Sequence, residues 1–167
     1  MTTVNRDWPR CAPEEDIMPE VTLRADVNCI PDAMHFLRQQ LEGKHAEILT
    51  HVELAVEELL VNVARYAYAD GEAGNTANAG RLVLGCRWVN MDGQDLFCVW
   101  LRDWGRLFDP FRSVDTPDTS LGVEERNIGG LGVHLVKHIS NHYLYSGEDG
   151  SNTVELYFRA NAAPQGA

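Results

Sequence analysis

HAEILTHVELAVEELLVNVARYAY, residues 45–68, contains neither glycine nor proline, so nothing in it interrupts a helix. At 3.6 residues per turn, Val52, Val56, Leu59, Leu60, Val63 and Ala67 fall within an arc of about 100°. That arc predicts one long helix with a single buried face. Glu58 and Asn62 lie about 40° apart on the wheel and roughly 6 Å apart along the axis, in one stripe beyond the Leu59 edge of the buried arc. A carboxylate and an amide so placed can act on one ligand, although the spacing also suits an ordinary solvated helix edge. Glu53 and Glu57 fall on the opposite flank and read as solvated.

The flanking segments supply the rest of a small domain. Upstream, residues 21–27 alternate, with Val21, Leu23, Ala25 and Val27 to one side, which predicts a strand. A helix follows from Pro31 through Met34, Phe36, Leu37 and Leu41, with Gly43 as its stop. Downstream, residues 69–80 are small and polar, a loop. Residues 81–89 and 96–103 predict two strands, joined over 90–95 by a connection longer than the tight two-residue type. Residues 104–128 lack periodicity, and a loop this long in a compact domain is usually functional. A helix over 131–141 and a hairpin of 143–146 with 153–159, turning at 147–150, complete the pattern.

This order predicts an α+β two-layer sandwich with a mixed, mostly antiparallel sheet and helices on one face. Residues 1–20, with Pro9, Pro13 and Pro19, are expected as a flexible arm. Residues 21–160 are expected as the domain and 161–167 as a flexible tail.

Composition narrows the function. The chain has 167 residues, 44% hydrophobic and 23% charged, and a formal net charge of −11. Such an acidic chain is repelled by phosphate backbones and anionic lipid, so neither nucleic acid nor membrane is expected as a partner. No apolar run reaches a membrane span, and the charged N-terminus is not a secretory signal. Cys11, Cys29, Cys86 and Cys98 form no CxxC pair and read as reduced thiols in a cytoplasmic protein.

Two further clusters carry chemistry. Asp103-Trp104-Gly105 closes an apolar strand, where a carboxylate and a glycine let a planar ligand approach the backbone. Strand-ending turns favour the same residues. Gly129, Gly130, Leu131 and Gly132 open a helix, whose free N–H groups attract anions. Neither a P-loop nor a Rossmann fingerprint is present. His134, His138 and His142 stand at i, i+4 and i+8 and could line up for a metal, but a half-exposed helix face explains them more simply.

Taken together, ELAVEELLVNVARYAY (53–68), DWGRLFDP (103–110), GGLGVHLVKHISN (129–141) and the closing NTVEL (152–156) resemble the GHKL superfamily of ATP-binding domains. Within it they look most like the anti-sigma-factor serine/threonine kinases of bacterial partner-switching systems, over about residues 20–160. The resemblance implies a GHKL-type (Bergerat) ATPase fold and the cofactors ATP and Mg²⁺. It assigns Glu58 as general base, Asn62 as Mg²⁺ ligand, Asp103 as acceptor for the adenine amino group and Gly105 as the glycine against the base. It adds Phe108, Asp109, Gly129, Gly130, Leu131, Gly132 and Thr153 to the nucleotide contacts, and makes 111–128 the ATP lid.

By the same resemblance the activity is phosphorylation of a STAS-type anti-sigma-factor antagonist. A sigma factor is a further candidate partner, and a homodimer is expected. An ATP-dependent sequestering switch without phosphotransfer and a simple ATPase are the alternatives. Three departures stand out. Leu107 replaces a second glycine of the first box, Tyr66 stands where many relatives carry histidine, and Arg112 and Arg126 are the only cations of the expected lid.

Overall fold

A computed structural model describes residues 2–4, 18–41, 45–68, 78–112 and 130–160. Its strands are β1 (Thr2–Val4), β2 (Glu20–Arg24), β3 (Arg81–Met91), β4 (Gln94–Asp103), β5 (His142–Glu148) and β6 (Ser151–Arg159). Its helices are α1 (Ile30–Leu41), α2 (Ala46–Asn62) and α3 (Gly130–Ile139). The six strands form one sheet in the order β1-β5-β6-β4-β3-β2, and every described pairing is antiparallel. Within the stretch expected as an arm, Thr2–Val4 pairs with β5 and Glu20 opens β2; residues 5–17 lie outside the described residues, as do 161–167.

Alternation along the strands sorts the two faces. Leu82, Leu84 and Cys86 of β3, Phe97, Val99 and Leu101 of β4, and Val154, Leu156 and Phe158 of β6 share one core with Leu37 of α1, Val52, Val56, Leu59 and Leu60 of α2, and Val136 of α3. All three helices therefore cover one face, as the α+β sandwich requires. The other face carries a smaller cluster of Leu96, Cys98 and Tyr157. Beside it Arg87 pairs with Glu155 at 3.2 Å, and Trp100 lies over Gly85, where a Cβ would stand 2.7 Å from the indole Nε1. Burial pushes the Cys86 thiol up to about 12 and the Cys98 thiol up as well, so both serve as packing groups and not as nucleophiles.

Local chemistry fixes the element ends. Asp26 Oδ1 accepts from the Asn28 N–H at 2.8 Å in the short turn that leads into α1. The helix over 45–68 forms, but over Val63–Ala67 it widens into a π-type turn. Burial falls off there: Val63 still packs against the core but is only half-buried, as is Ala67. The β3–β4 connection is tighter than expected. Met91 pairs with Gln94 across a two-residue turn of Asp92 and Gly93, with φ of 51° and 77°. Positive φ at both central residues matches the twist of paired strands, and Asp-Gly is a favoured dipeptide for it. Asp149 and Gly150 (φ 52° and 70°) close the β5–β6 hairpin in the same way.

Candidate nucleotide-binding site

The last turns of α2 and the start of α3 form one side of the site. Glu57 is exposed and Glu58 half-buried, and their 100° offset puts them on different flanks of the helix. The Glu58 carboxylate lies against Gly132: a Cβ there would stand 3.0 Å from Glu58 Cδ and overlap its Oε2. Glycine at 132 therefore makes room for a carboxylate beside the N-terminal turn of α3, whose partial positive charge suits an anion. Asn62, the last residue of α2, is half-buried one turn along the same stripe, and its side chain makes no capping bond.

Asp103 ends β4 on the helix-covered face and is 6% exposed. Its Oδ1 accepts from the Gly105 N–H at 2.9 Å and from Asn152 Nδ2 at 3.0 Å. Burial raises the carboxyl above its ordinary value, and these two donors work against that rise. With both donors on one oxygen, the other is left to accept from a ligand N–H.

The turn after Asp103 docks onto the widened end of α2. The Ala67 carbonyl accepts from the Arg106 N–H at 3.0 Å. A Cβ on Gly105 would stand 2.6 Å from Ala67 Cβ and 2.8 Å from its carbonyl carbon. Gly105 is thus needed for packing against α2, a reason distinct from the implied contact with a base. Tyr68 accepts from the Trp104 N–H at 3.0 Å and donates to the Arg81 carbonyl at 2.9 Å, and the Arg81 guanidinium sits 5.0 Å from the Trp104 ring centre.

Further along, Phe108 is 56% exposed, with its N–H held by Asn152 Oδ1 at 3.0 Å. Asp109 is buried, and its Oδ1 accepts from the Phe111 N–H at 2.9 Å. That turn drives Phe111 into the core against Tyr143, where Lys137 Nζ donates to the Phe111 carbonyl at 2.7 Å.

The structure thus sets Glu58 against Gly132, with Asn62 one turn further along α2, and gathers Asp103, Gly105, Phe108 and Asp109 at and just after the end of β4. Gly130 and Leu131 open α3. Gly129 and lid residues 113–128 lie outside the described residues.

Two expectations are corrected. Thr153 points to the opposite face of the sheet, where its hydroxyl accepts from Arg102 Nε at 3.0 Å. Side chains alternate, so the neighbour Asn152 faces the site instead. The histidine stripe breaks because α3 ends at Ile139 and His142 opens β5. Among the described residues no group of three His, Cys, Asp or Glu could hold a metal ion.

Tyr68, Tyr145 and Asn152 are the site residues that motif reading missed. Asn152 was accessible through strand parity, since Val154, Leu156 and Phe158 mark the core face of β6. Nothing in the sequence flags the Tyr68 hydroxyl.

Among the described residues no helix is long and apolar enough to cross a membrane. No curated protein shows a significant match to this sequence. Residues 23–158, however, match the histidine kinase-like ATPase domain family, a span that includes α2, Asp103, α3 and β6. By that match and by a fold of the expected architecture, the chain belongs to the histidine kinase-like ATPase domain family, whose members bind ATP.

Proposed function

We propose that the chain is a Mg-ATP-dependent serine/threonine protein kinase and anti-sigma factor. Its protein substrate is a STAS-type anti-sigma-factor antagonist, and it acts as a homodimer in the cytoplasm. The observation that carries the proposal is the placement of Glu58. A half-buried carboxylate lies against the N-terminal turn of α3, on the same side of the helical layer as Asn62. An anionic phosphate chain is favoured at that helix start, and a carboxylate beside it can accept a proton from an attacking hydroxyl.

Asn62 offers a neutral amide oxygen, a hard donor of the kind Mg²⁺ accepts. A hard cation here would complete its shell with phosphate oxygens and water, as Mg²⁺ prefers. When bound, it neutralises phosphate charge during transfer. Asp103 orients the base through its free oxygen, Asn62 would hold the metal when it is bound, and Glu58 takes the hydroxyl proton.

The test is incubation with labelled ATP and the STAS proteins of the same organism. Label on a serine or threonine of one of them is the expected result. Nucleotide-dependent capture without label would replace the kinase with a switch, and release of free phosphate alone would replace it with an ATPase.

A further inference from the structure

Asn152 is 5% exposed, and the geometry around it uses every hydrogen-bonding position of its amide. Nδ2 donates to Asp103 Oδ1 at 3.0 Å and to the Arg106 carbonyl at 3.0 Å. Oδ1 accepts from the Phe108 N–H at 3.0 Å and from the Tyr145 hydroxyl at 2.8 Å. Two of these partners are chemically one-way. A backbone N–H can only donate and a backbone carbonyl can only accept, so Phe108 and Arg106 together fix which way the amide points. Nδ2 must then face Asp103. The Tyr145 hydroxyl reaches Oδ1 because position 147 is glycine; a Cβ there would stand 2.6 Å from that hydroxyl.

We infer that Asn152, oriented by Tyr145, is a positioning residue that sets base specificity by holding Asp103 with its free oxygen as an acceptor. This inference rests on the nucleotide reading above. With Oδ1 engaged by Nδ2 and the Gly105 N–H, a proton on Asp103 would sit on the oxygen that faces the base. An ionised Asp103 can only accept, which suits a purine with an exocyclic amino group and opposes one with a carbonyl at that position. A protonated Asp103 donates, and the preference weakens. Burial raises the Asp103 carboxyl, Asn152 of β6 and the Gly105 N–H lower it, and the titratable groups facing it are Tyr68 after α2 and Tyr145 of β5, which has Asp109 beside it. Among these, Asn152 is the one side chain that donates directly to the carboxylate.

The experiment is calorimetric titration with Mg-ATP and with Mg-GTP between pH 5.5 and 8, on wild type, Asn152→Ala and Tyr145→Phe. The ATP-to-GTP affinity ratio should fall about tenfold to a hundredfold in Asn152→Ala, the worth of one hydrogen bond to a charged group. It should fall less in Tyr145→Phe. In both variants the loss of selectivity on acidification should begin at a higher pH than in wild type. A folded Asn152→Ala that keeps the wild-type ratio and pH profile overturns the inference, and so does one that loses both nucleotides equally. If Asn152→Ala does not fold, Tyr145→Phe decides, since it removes only a hydroxyl, and an unchanged ratio and profile overturn the inference. A wild type that binds neither nucleotide refutes the nucleotide reading and this inference with it.

Discussion

Replacing Gly132 by alanine isolates the contact on which the catalytic reading depends. The new Cβ would stand 3.0 Å from Glu58 Cδ. Carbon atoms settle at about 3.5–4.0 Å, so the carboxyl carbon must retreat by about 0.5–1 Å. The obstacle is the free end of a flexible side chain, so Glu58 can swing aside and the backbone need not move. Alanine in place of glycine within a helix gains up to about 1 kcal/mol, so thermal stability should hold or rise slightly. Catalysis should not. A misplacement of about 1 Å can cost about 10²-fold, and a general base is worth about 10²–10⁴-fold in all. Phosphate transfer should therefore slow by about 10- to 100-fold while the protein stays folded. The assay is the initial rate of label transfer from ATP in wild type, Gly132→Ala, Glu58→Gln and the double variant. If alanine acts through Glu58, it should cost little further once Glu58 is already glutamine. An unchanged rate in Gly132→Ala, or an equal fall in both backgrounds, would refute this account. Gly105→Ala is the useful contrast. Its Cβ would meet the backbone of Ala67, which cannot swing away, and the expected loss is about 1–3 kcal/mol of stability.

Glu58→Gln should lose most phosphate transfer with Mg-ATP binding nearly intact, while Glu57→Gln, on the exposed flank, should change neither; equal rates in both variants would remove Glu58 as base. Asp103→Asn should weaken ATP by about 1.5–3 kcal/mol and erode its advantage over GTP, measured by calorimetry. Asn62→Ala should mimic chelation of Mg²⁺ by lowering nucleotide affinity, and a variant that responds to chelator like wild type would exclude Asn62 as the ligand. Burial, and secondarily Arg159, holds the His142 imidazole below its ordinary value of 6.5. The unfolded chain then binds more proton than the native one as pH falls through 6.5, so stability declines on acidification; His142→Gln should make urea-unfolding free energies less steep between pH 7.5 and 5.5.

How much of this was legible in the sequence depends on the kind of constraint. The long helix was, because an uninterrupted apolar arc has few other solutions. Its π-type ending was not, because Val63 and Ala67 continue the same apolar pattern across the change of helical register. The β3–β4 turn is hidden for a different reason. Asn90, Gln94 and Asp95 look like loop because they are polar, yet a ladder of backbone hydrogen bonds continues through them without apolar side chains. Asp92-Gly93 was the better guide, since it speaks to φ, the variable that a tight turn constrains. Thr153 shows the cost of carrying over a motif without its parity. A shift of one residue along β6 exchanges the two faces, so the choice between Thr153 and Asn152 had to come from Val154, Leu156 and Phe158.

The three motifs are also tied together by contacts that no single motif displays. Gly132 yields its side-chain space to Glu58, which joins the third motif to the first. The Arg106 N–H and the close approach of Gly105 to Ala67 join the second motif to the end of α2. Asn152 joins β6 to Asp103 and to the backbone at Arg106 and Phe108. Each joint is a place where a side chain is absent or an amide is fully used, and such places look unremarkable in a sequence. They also bear on function. The π-type turn presents the Ala67 carbonyl to the turn after Asp103, so the Asp103 turn and the Glu58 stripe are anchored at opposite ends of one short segment, Glu58 to Ala67. A change that straightened Val63–Ala67 into regular helix would shift Ala67 relative to Gly105 and Arg106, and would disturb recognition of the base before it disturbed Glu58.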